Sequence, residues 1–294
     1  MIVSASYRTD IPAFYGRWFV NRLAAGWCCT TNPYGGPPGR VDLVPGAVDG
    51  FVFWTRNLEP FAGGLEAVSA LGLPFVVQFT VTGYPQALER SVIEPGRAVG
   101  QMRRVRDRWG PRAVVWRYDP LVFTSLTPPA WHRANFTALA AALAGVTDEV
   151  VASVMQPYRK TTRGLDAAAR VHGFSWRDPP PEERQAVLAE LAGIAAGQGM
   201  ALTLCTQPAL AGIPGTRPAA CIDAGRLSDV AGRPIPARRK GNRVGCACAE
   251  SRDIGAYETC PHGCAYCYAV TSRTTARHHL TRRHDPDGEF LLPP

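Results

Sequence analysis

The sequence predicts an α/β fold: a partial (β/α)6 TIM-like barrel of parallel strands that ends in an irregular, cysteine-containing segment. Three observations predict it. Short β-rich apolar runs alternate with longer amphipathic stretches as far as residue 205. Polar residues gather after each of these runs, at the end of a parallel strand where barrel active sites are built. Beyond Cys205 the alternation stops, and a Gly/Pro-rich passage leads to a tight group of cysteines.

In order, the expected strands are Ile2–Ser6, Gly50–Trp54, Pro74–Thr82, Ala113–Tyr118, Glu149–Met155 and Ala201–Cys205. The expected helices between them are Pro12–Ala25, Glu59–Leu71, Gly96–Trp109, Pro128–Ala144, Thr161–Val171 and Glu182–Gln198. Pro12 after Asp10, and Pro128 with Pro129 after Thr127, mark helix starts, because a first helical turn tolerates proline. Strand–helix units in succession argue for a parallel sheet with right-handed crossovers, either open and doubly wound or curled into a partial barrel. The polar strand ends favour the barrel. They are Ser6–Asp10, Trp54–Asn57, Gln78 with Thr80 and Thr82, Arg117–Asp119, Gln156–Lys160 and Cys205–Gln207. The domain reading is 1–205 for the strand–helix units, 206–284 for a cysteine-rich segment packed on them, and 285–294 for a mobile tail. Within the second part only a short helix, Ala224–Val230, is expected, and a structureless connection of that length implies a function or a metal in it.

The 294 residues, 46 % of them hydrophobic, suffice for a full core. No stretch reaches the ~18–20 unbroken apolar residues of a membrane span, and MIVSASYRTD has neither region of a signal peptide. A cytoplasmic, reduced protein is therefore expected, in which nine cysteines are read first as metal or redox chemistry rather than disulfides. The formal charge of +8 raises the question of nucleic acid, but the only lysines are Lys160 and Lys240 and the arginines are scattered. The dense run Arg238–Lys240 reads as a solvated loop, and the tract from Arg277 to His284 is a second basic stretch. A nucleic-acid partner is not favoured, and no membrane partner is expected.

The most informative passage is CACAESRDIGAYETCPHGCAYCY, residues 246–268. Cys260, Cys264 and Cys267 have the spacing C-x3-C-x2-C, with Pro261 and Gly263 to turn the loop tightly round a metal centre. Three thiolates can hold three irons of a four-iron, four-sulfur (4Fe-4S) cluster and leave the fourth iron open to a small ligand. Zinc completed by Cys246, Cys248 and His262 is the rival, though the gap between Cys260 and Cys264 is less typical of it. Cys28 and Cys29, near an apolar helix end, read as small packed hydrophobes.

With these residues the sequence resembles the radical S-adenosylmethionine (SAM) superfamily, including the aromatic Tyr266 just before the last cysteine. The resemblance implies a 4Fe-4S cluster whose open iron chelates SAM, reductive cleavage of the sulfonium bond, and hydrogen abstraction from a substrate by a 5′-deoxyadenosyl radical. It also implies a partial barrel of six units and an electron donor such as flavodoxin or ferredoxin. The departure is position: in that family the motif follows the first strand, whereas here it follows the sixth unit, with Ile254–Tyr257 as a short strand leading into it. A circularly permuted order would return the segment to the side of the N-terminal strand. The whole chain also resembles a bacterial domain-of-unknown-function family through SASYRTDIPAFYG, VFWTRN, WRYDP and DIGAYETCPHGCAYCYA.

Under this reading Asp10, Arg56, Gln78, Arg117, Asp119 and Arg159 are expected to contact SAM or substrate, because a bidentate arginine suits a carboxylate and an acidic group suits an ammonium or ribose hydroxyls. Each can equally be a salt bridge at the barrel rim. Cys205, Cys221, Cys246 and Cys248 have the number of a second site, an auxiliary iron–sulfur cluster or a structural zinc. Alternatively Cys205 acts as a thiyl or acid–base residue and Cys221 is merely buried. The competing functions are a non-catalytic iron–sulfur or zinc protein that binds nucleic acid, and a barrel hydrolase with structural cysteines.

Overall fold

The computed structural model describes residues 1–33, 35–210, 212–241 and 245–294. The chain runs β1 (Ile2–Ala5), α1 (Ile11–Phe14), α2 (Gly16–Ala25), β2 (Trp27–Thr30), β3 (Gly39–Asp42), β4 (Gly50–Thr55), α3 (Ala62–Ala70) and β5 (Phe75–Thr80). It continues through α4 (Pro95–Trp109), β6 (Val114–Leu121), α5 (Pro129–Leu143), β7 (Glu149–Val154), α6 (Arg159–His172), α7 (Pro181–Gly197) and β8 (Ala201–Leu204). The last part holds β9 (Thr216–Pro218), α8 (Ala224–Ala231), β10 (Ser251–Asp253) and α9 (Arg273–His278).

The architecture is α/β, built on one eight-stranded sheet in the order β10-β1-β4-β5-β6-β7-β8-β9. Every neighbouring pair in it is parallel, and the sheet is not closed: β10 and β9 are its edges. Six strands were expected and all six are present. Of the other two, β9 was not expected and β10 lies just before the short strand expected over Ile254–Tyr257; each has three residues, too few to carry a readable alternation. β2 and β3, also unforeseen, form a separate antiparallel pair.

Strand side chains alternate between faces, and the two faces are covered differently. Val3, Phe53, Val77, Trp116 and Ala152 point to a core shared with residues of α2, α3, α4, α5 and α7. On the other face Ile2, Val52, Val76, Val115 and Val151 meet Ile222, Leu227, Ile235 and Ala249 from the segment after β9. Each fully buried valine there contributes about 1.5–3 kcal/mol. Two residues further along the same strands this face turns polar, with Ser4, Gln78 and Arg117 all buried. An apolar floor thus lies under a polar layer at the carboxyl ends of the strands.

The helix expected over Pro12–Ala25 breaks at Tyr15, which has φ −126° and ψ 20°. Its ring is buried, and its hydroxyl donates to the carbonyl of Thr259 at 2.7 Å. Residues 285–294, expected as a mobile tail, lie against α2: the Trp18 indole donates to the Gly288 carbonyl at 3.0 Å, and Leu291 is buried. No helix among the described residues is long and apolar enough to cross a membrane.

Candidate functional site

Ile254–Tyr257, expected as a short strand, is not one: the strand here is β10, which ends at Asp253, and two local features hold the chain beyond it. Asp253 is buried beside β1 and accepts hydrogen bonds from Ser4 Oγ (2.6 Å), Ser6 Oγ (2.8 Å), Tyr7 N (3.2 Å) and Gly255 N (2.9 Å). Gly255 then passes so close to β1 that a Cβ on it would stand 2.1 Å from Ser6 Oγ. Glu258 takes a left-handed φ of +60°. That conformation is held by its carboxylate, which accepts from Lys160 Nζ at 2.7 Å and from Thr271 N at 2.7 Å.

The loop that follows carries Cys260, Cys264 and Cys267, and each of its turns is fastened to the sheet ends. His262 stands between the Asp10 carboxylate (Nε2 to Oδ2, 2.8 Å) and the Ser91 carbonyl (Nδ1, 3.2 Å). Ala265 N donates to the Leu88 carbonyl at 2.8 Å. Helix α6 approaches through Gly164, where a Cβ would lie 2.1 Å from the Ala265 carbonyl oxygen. Beneath the loop, the largely buried Arg56 donates to Glu89 Oε1 at 2.7 Å and to the Tyr266 hydroxyl at 2.8 Å. Thr82 and Tyr266 hydroxyls also donate to Glu89. Burial alone would lower the Arg56 guanidinium, but the Glu89 carboxylate and Tyr266 carry it well above its ordinary value.

Burial raises the thiols, the opposite of its effect on the guanidinium, because it disfavours the charged form of each. Cys260 is held well above its usual range by burial and then by the Asp10 carboxylate; Cys264 is pushed up to about 12 by burial, against the lowering pull of Arg56. Burial raises Cys267 as well. As protonated thiols these are poor ligands until a metal displaces their protons.

All three open on a cavity of about 890 Å³ at the carboxyl ends of the strands. Two polar atoms of its lining residues are buried with no hydrogen-bond partner, Arg8 Nε and Thr9 Oγ1. Arg8 Nε instead faces the Asp253 carboxylate at 3.7 Å, an ion pair longer than a hydrogen bond. The second set of cysteines, Cys205, Cys221, Cys246 and Cys248, lines the same cavity. Among the described residues, no three His, Cys, Asp or Glu side chains are placed to share one metal ion. Thiolates on separate irons of a cluster need not share one.

A family model described as a domain of unknown function (DUF1848) matches residues 2–269. The chain belongs to the DUF1848 family. No curated protein matches it. Among solved structures, a crystal structure of D-hydantoinase overlays with a TM-score of 0.32 and 7 % identity, covering 69 % of this chain and 40 % of that one, a likeness too slight to carry an argument.

In this DUF1848 member the six expected contact residues fall into three groups. Asp10 caps α1 through Ala13 N (2.9 Å), accepts from Arg56 N (2.8 Å) and meets His262, so its carboxylate is committed to holding the cysteine loop. Arg56 serves the same loop. Gln78, Arg117 and Asp119 gather instead at the second set of cysteines: Gln78 Nε2 donates to the Cys221 carbonyl at 2.9 Å, and Arg117 pairs with Asp119 and donates to Cys221 Sγ at 3.1 Å. Gln78 does not line the cavity; the other five do. Arg159 stands exposed at the rim. Glu89, Arg8 and Thr9 were not singled out. Arg8 and Thr9 lie in the polar run after β1, but which of its residues face the cavity is a matter of backbone path. Glu89 lies in an aperiodic loop with no local marker. The basic run Arg238–Lys240 folds back on residues 248–250, and Glu250 accepts from Arg238 (2.8 Å) and Lys240 (2.9 Å).

Proposed function

We propose that this DUF1848 member is a radical SAM enzyme, with Cys260, Cys264 and Cys267 as ligands of a 4Fe-4S cluster and the open sheet as a partial barrel. The observation that carries this reading is the parallel pairing of β10 with β1, Ile2 against Ser251 and Ser4 against Asp253. The cysteine loop therefore leaves the sheet beside the first strand. The radical SAM resemblance implies that placement, although in sequence the motif comes last.

The cluster, when bound, supplies the electron that cleaves the sulfonium bond of SAM. The chain's own residues orient and enclose. His262 with Asp10, and Arg56 with Glu89 and Tyr266, fix the loop from below. Arg8 and Thr9 line the cavity where SAM would sit, and Arg159 offers a guanidinium at the rim suited to a carboxylate. The substrate occupies the rest of the cavity, and a flavodoxin or ferredoxin in the cytoplasm delivers the electron.

Anaerobic reconstitution tests the reading. About four irons with acid-labile sulfide are expected at this site, and with a strong reductant the protein should convert SAM to 5′-deoxyadenosine and methionine. Cys260→Ala, Cys264→Ala and Cys267→Ala should each abolish the conversion. Retention of wild-type cleavage in a variant lacking all three thiols, or no uptake of iron and sulfide by the wild type, would overturn it.

A further inference from the structure

We propose that Cys205, Cys221, Cys246 and Cys248 form a second and separate centre, a mononuclear four-thiolate site for a soft divalent ion, best suited to zinc. Three distant segments bring these sulfurs together: the end of β8, the chain after β9, and the stretch before β10. They stand in series. Cys205 Sγ and Cys221 Sγ are 3.6 Å apart, Cys248 is near enough to Cys221 to shift its thiol, and Cys246 does the same to Cys248.

One spacing bears on the ion. Metal–sulfur bonds of about 2.3 Å in a tetrahedron put neighbouring sulfurs about 3.8 Å apart, close to the observed contact between Cys205 and Cys221. Sulfurs on different irons of a cubane stand further apart than sulfurs on one ion. A tetrahedral set of four sulfurs is diagnostic of zinc or an iron–sulfur site, and the 3.6 Å contact between Cys205 and Cys221 fits two ligands of a single ion. Donors to the sulfurs are in place as well: Ile222 N reaches Cys248 Sγ at 3.4 Å and Arg117 Nη1 reaches Cys221 Sγ at 3.1 Å. Such outer hydrogen bonds stabilise thiolates on a metal.

Cys205 is held well above its usual range, and Cys221 and Cys248 are each up at about 11. Their sulfurs do not yet surround one point. Binding Zn²⁺ to four thiols releases four protons, leaves a centre of charge −2, and needs the series to close up round the ion, since no three of these side chains yet share one point. Four protein ligands close the site, so its role is structural. It ties residues 219–222 and 246–249, which cover the apolar floor, to the end of β8. Arg117 links it to the cavity through Asp119.

The centre can be read independently of radical SAM chemistry. A full-length triple variant, Cys260→Ser with Cys264→Ser and Cys267→Ser, grown with zinc, is expected to keep about one zinc per chain without sulfide. X-ray absorption should give four sulfurs at about 2.3 Å. No metal in that variant, or iron with acid-labile sulfide, overturns the proposal. If the triple variant does not fold, Cys246→Ser in the otherwise wild-type chain reads the same site. One zinc fewer, or a shell of three sulfurs, is expected; an unchanged count and shell overturns it.

Discussion

The two edges of the sheet are alike in form and opposite in how they are held. β10 and β9 are each three residues long, each runs parallel to its single neighbour, and each hands the chain on to cysteines. β10 ends in a buried carboxylate that takes four hydrogen bonds before the cysteine loop begins. β9 is half-buried to exposed along its length, and beyond it the chain is gathered by thiols. One edge is clamped by the polypeptide alone. The other is held by its backbone pairing to β8, and the chain beyond it packs its thiols together.

The largest effect expected from this contrast is at Asp253. Asp253→Ala leaves Ser4, Ser6 and two backbone N–H groups without an acceptor and should cost about 3–5 kcal/mol, read from the denaturant midpoint. A loss below about 1 kcal/mol would place β10 on the same footing as β9, given the usual range for surface changes.

Acid should weaken both edges together, through the sheet's centre. His132 is fully buried against Tyr118 and the Val122 carbonyl, and burial lowers it from 6.5 to about 4. The unfolded chain therefore takes up a proton before the folded one does. The stability His132 contributes is complete above about pH 6.5 and is lost as pH falls toward 4, by up to about 3 kcal/mol. Stability curves of wild type and His132→Gln should converge in this window; parallel curves would assign the acid sensitivity elsewhere.

A smaller effect is expected at Gly164. Its added Cβ would collide with the Ala265 carbonyl oxygen, so Gly164→Ala should cost about 1–3 kcal/mol and speed alkylation of Cys264 by iodoacetamide. Destabilisation with no change in alkylation would mean that α6 yields and the loop does not. The smallest effect is at β9, where Arg217→Ala on the exposed strand should stay within about 0.5 kcal/mol. A loss of several times that would show β9 to be held by its own side chains and would end the contrast.

The sequence by itself determined the elements whose signal is local. The six longer strands and their crossover helices were legible because apolar residues recur at the period of the element that buries them. Asp10 followed by Pro12 announced the start of α1, and the spacing of Cys260, Cys264 and Cys267 was readable without any fold. Tertiary structure decided the rest, for one physical reason: three-residue strands and single buried polar groups have no period and acquire partners only when distant segments meet. Ser251–Asp253 became a strand because Asp253 found Ser4 and Ser6 across the whole length of the chain. Glu89 became the acceptor beneath the cysteine loop because Arg56 and Tyr266 arrive from either end of the sequence. Cys205, Cys221 and Cys248 could be counted in the sequence, but their sulfurs come together only because the segment after β9 folds back over the sheet's apolar floor.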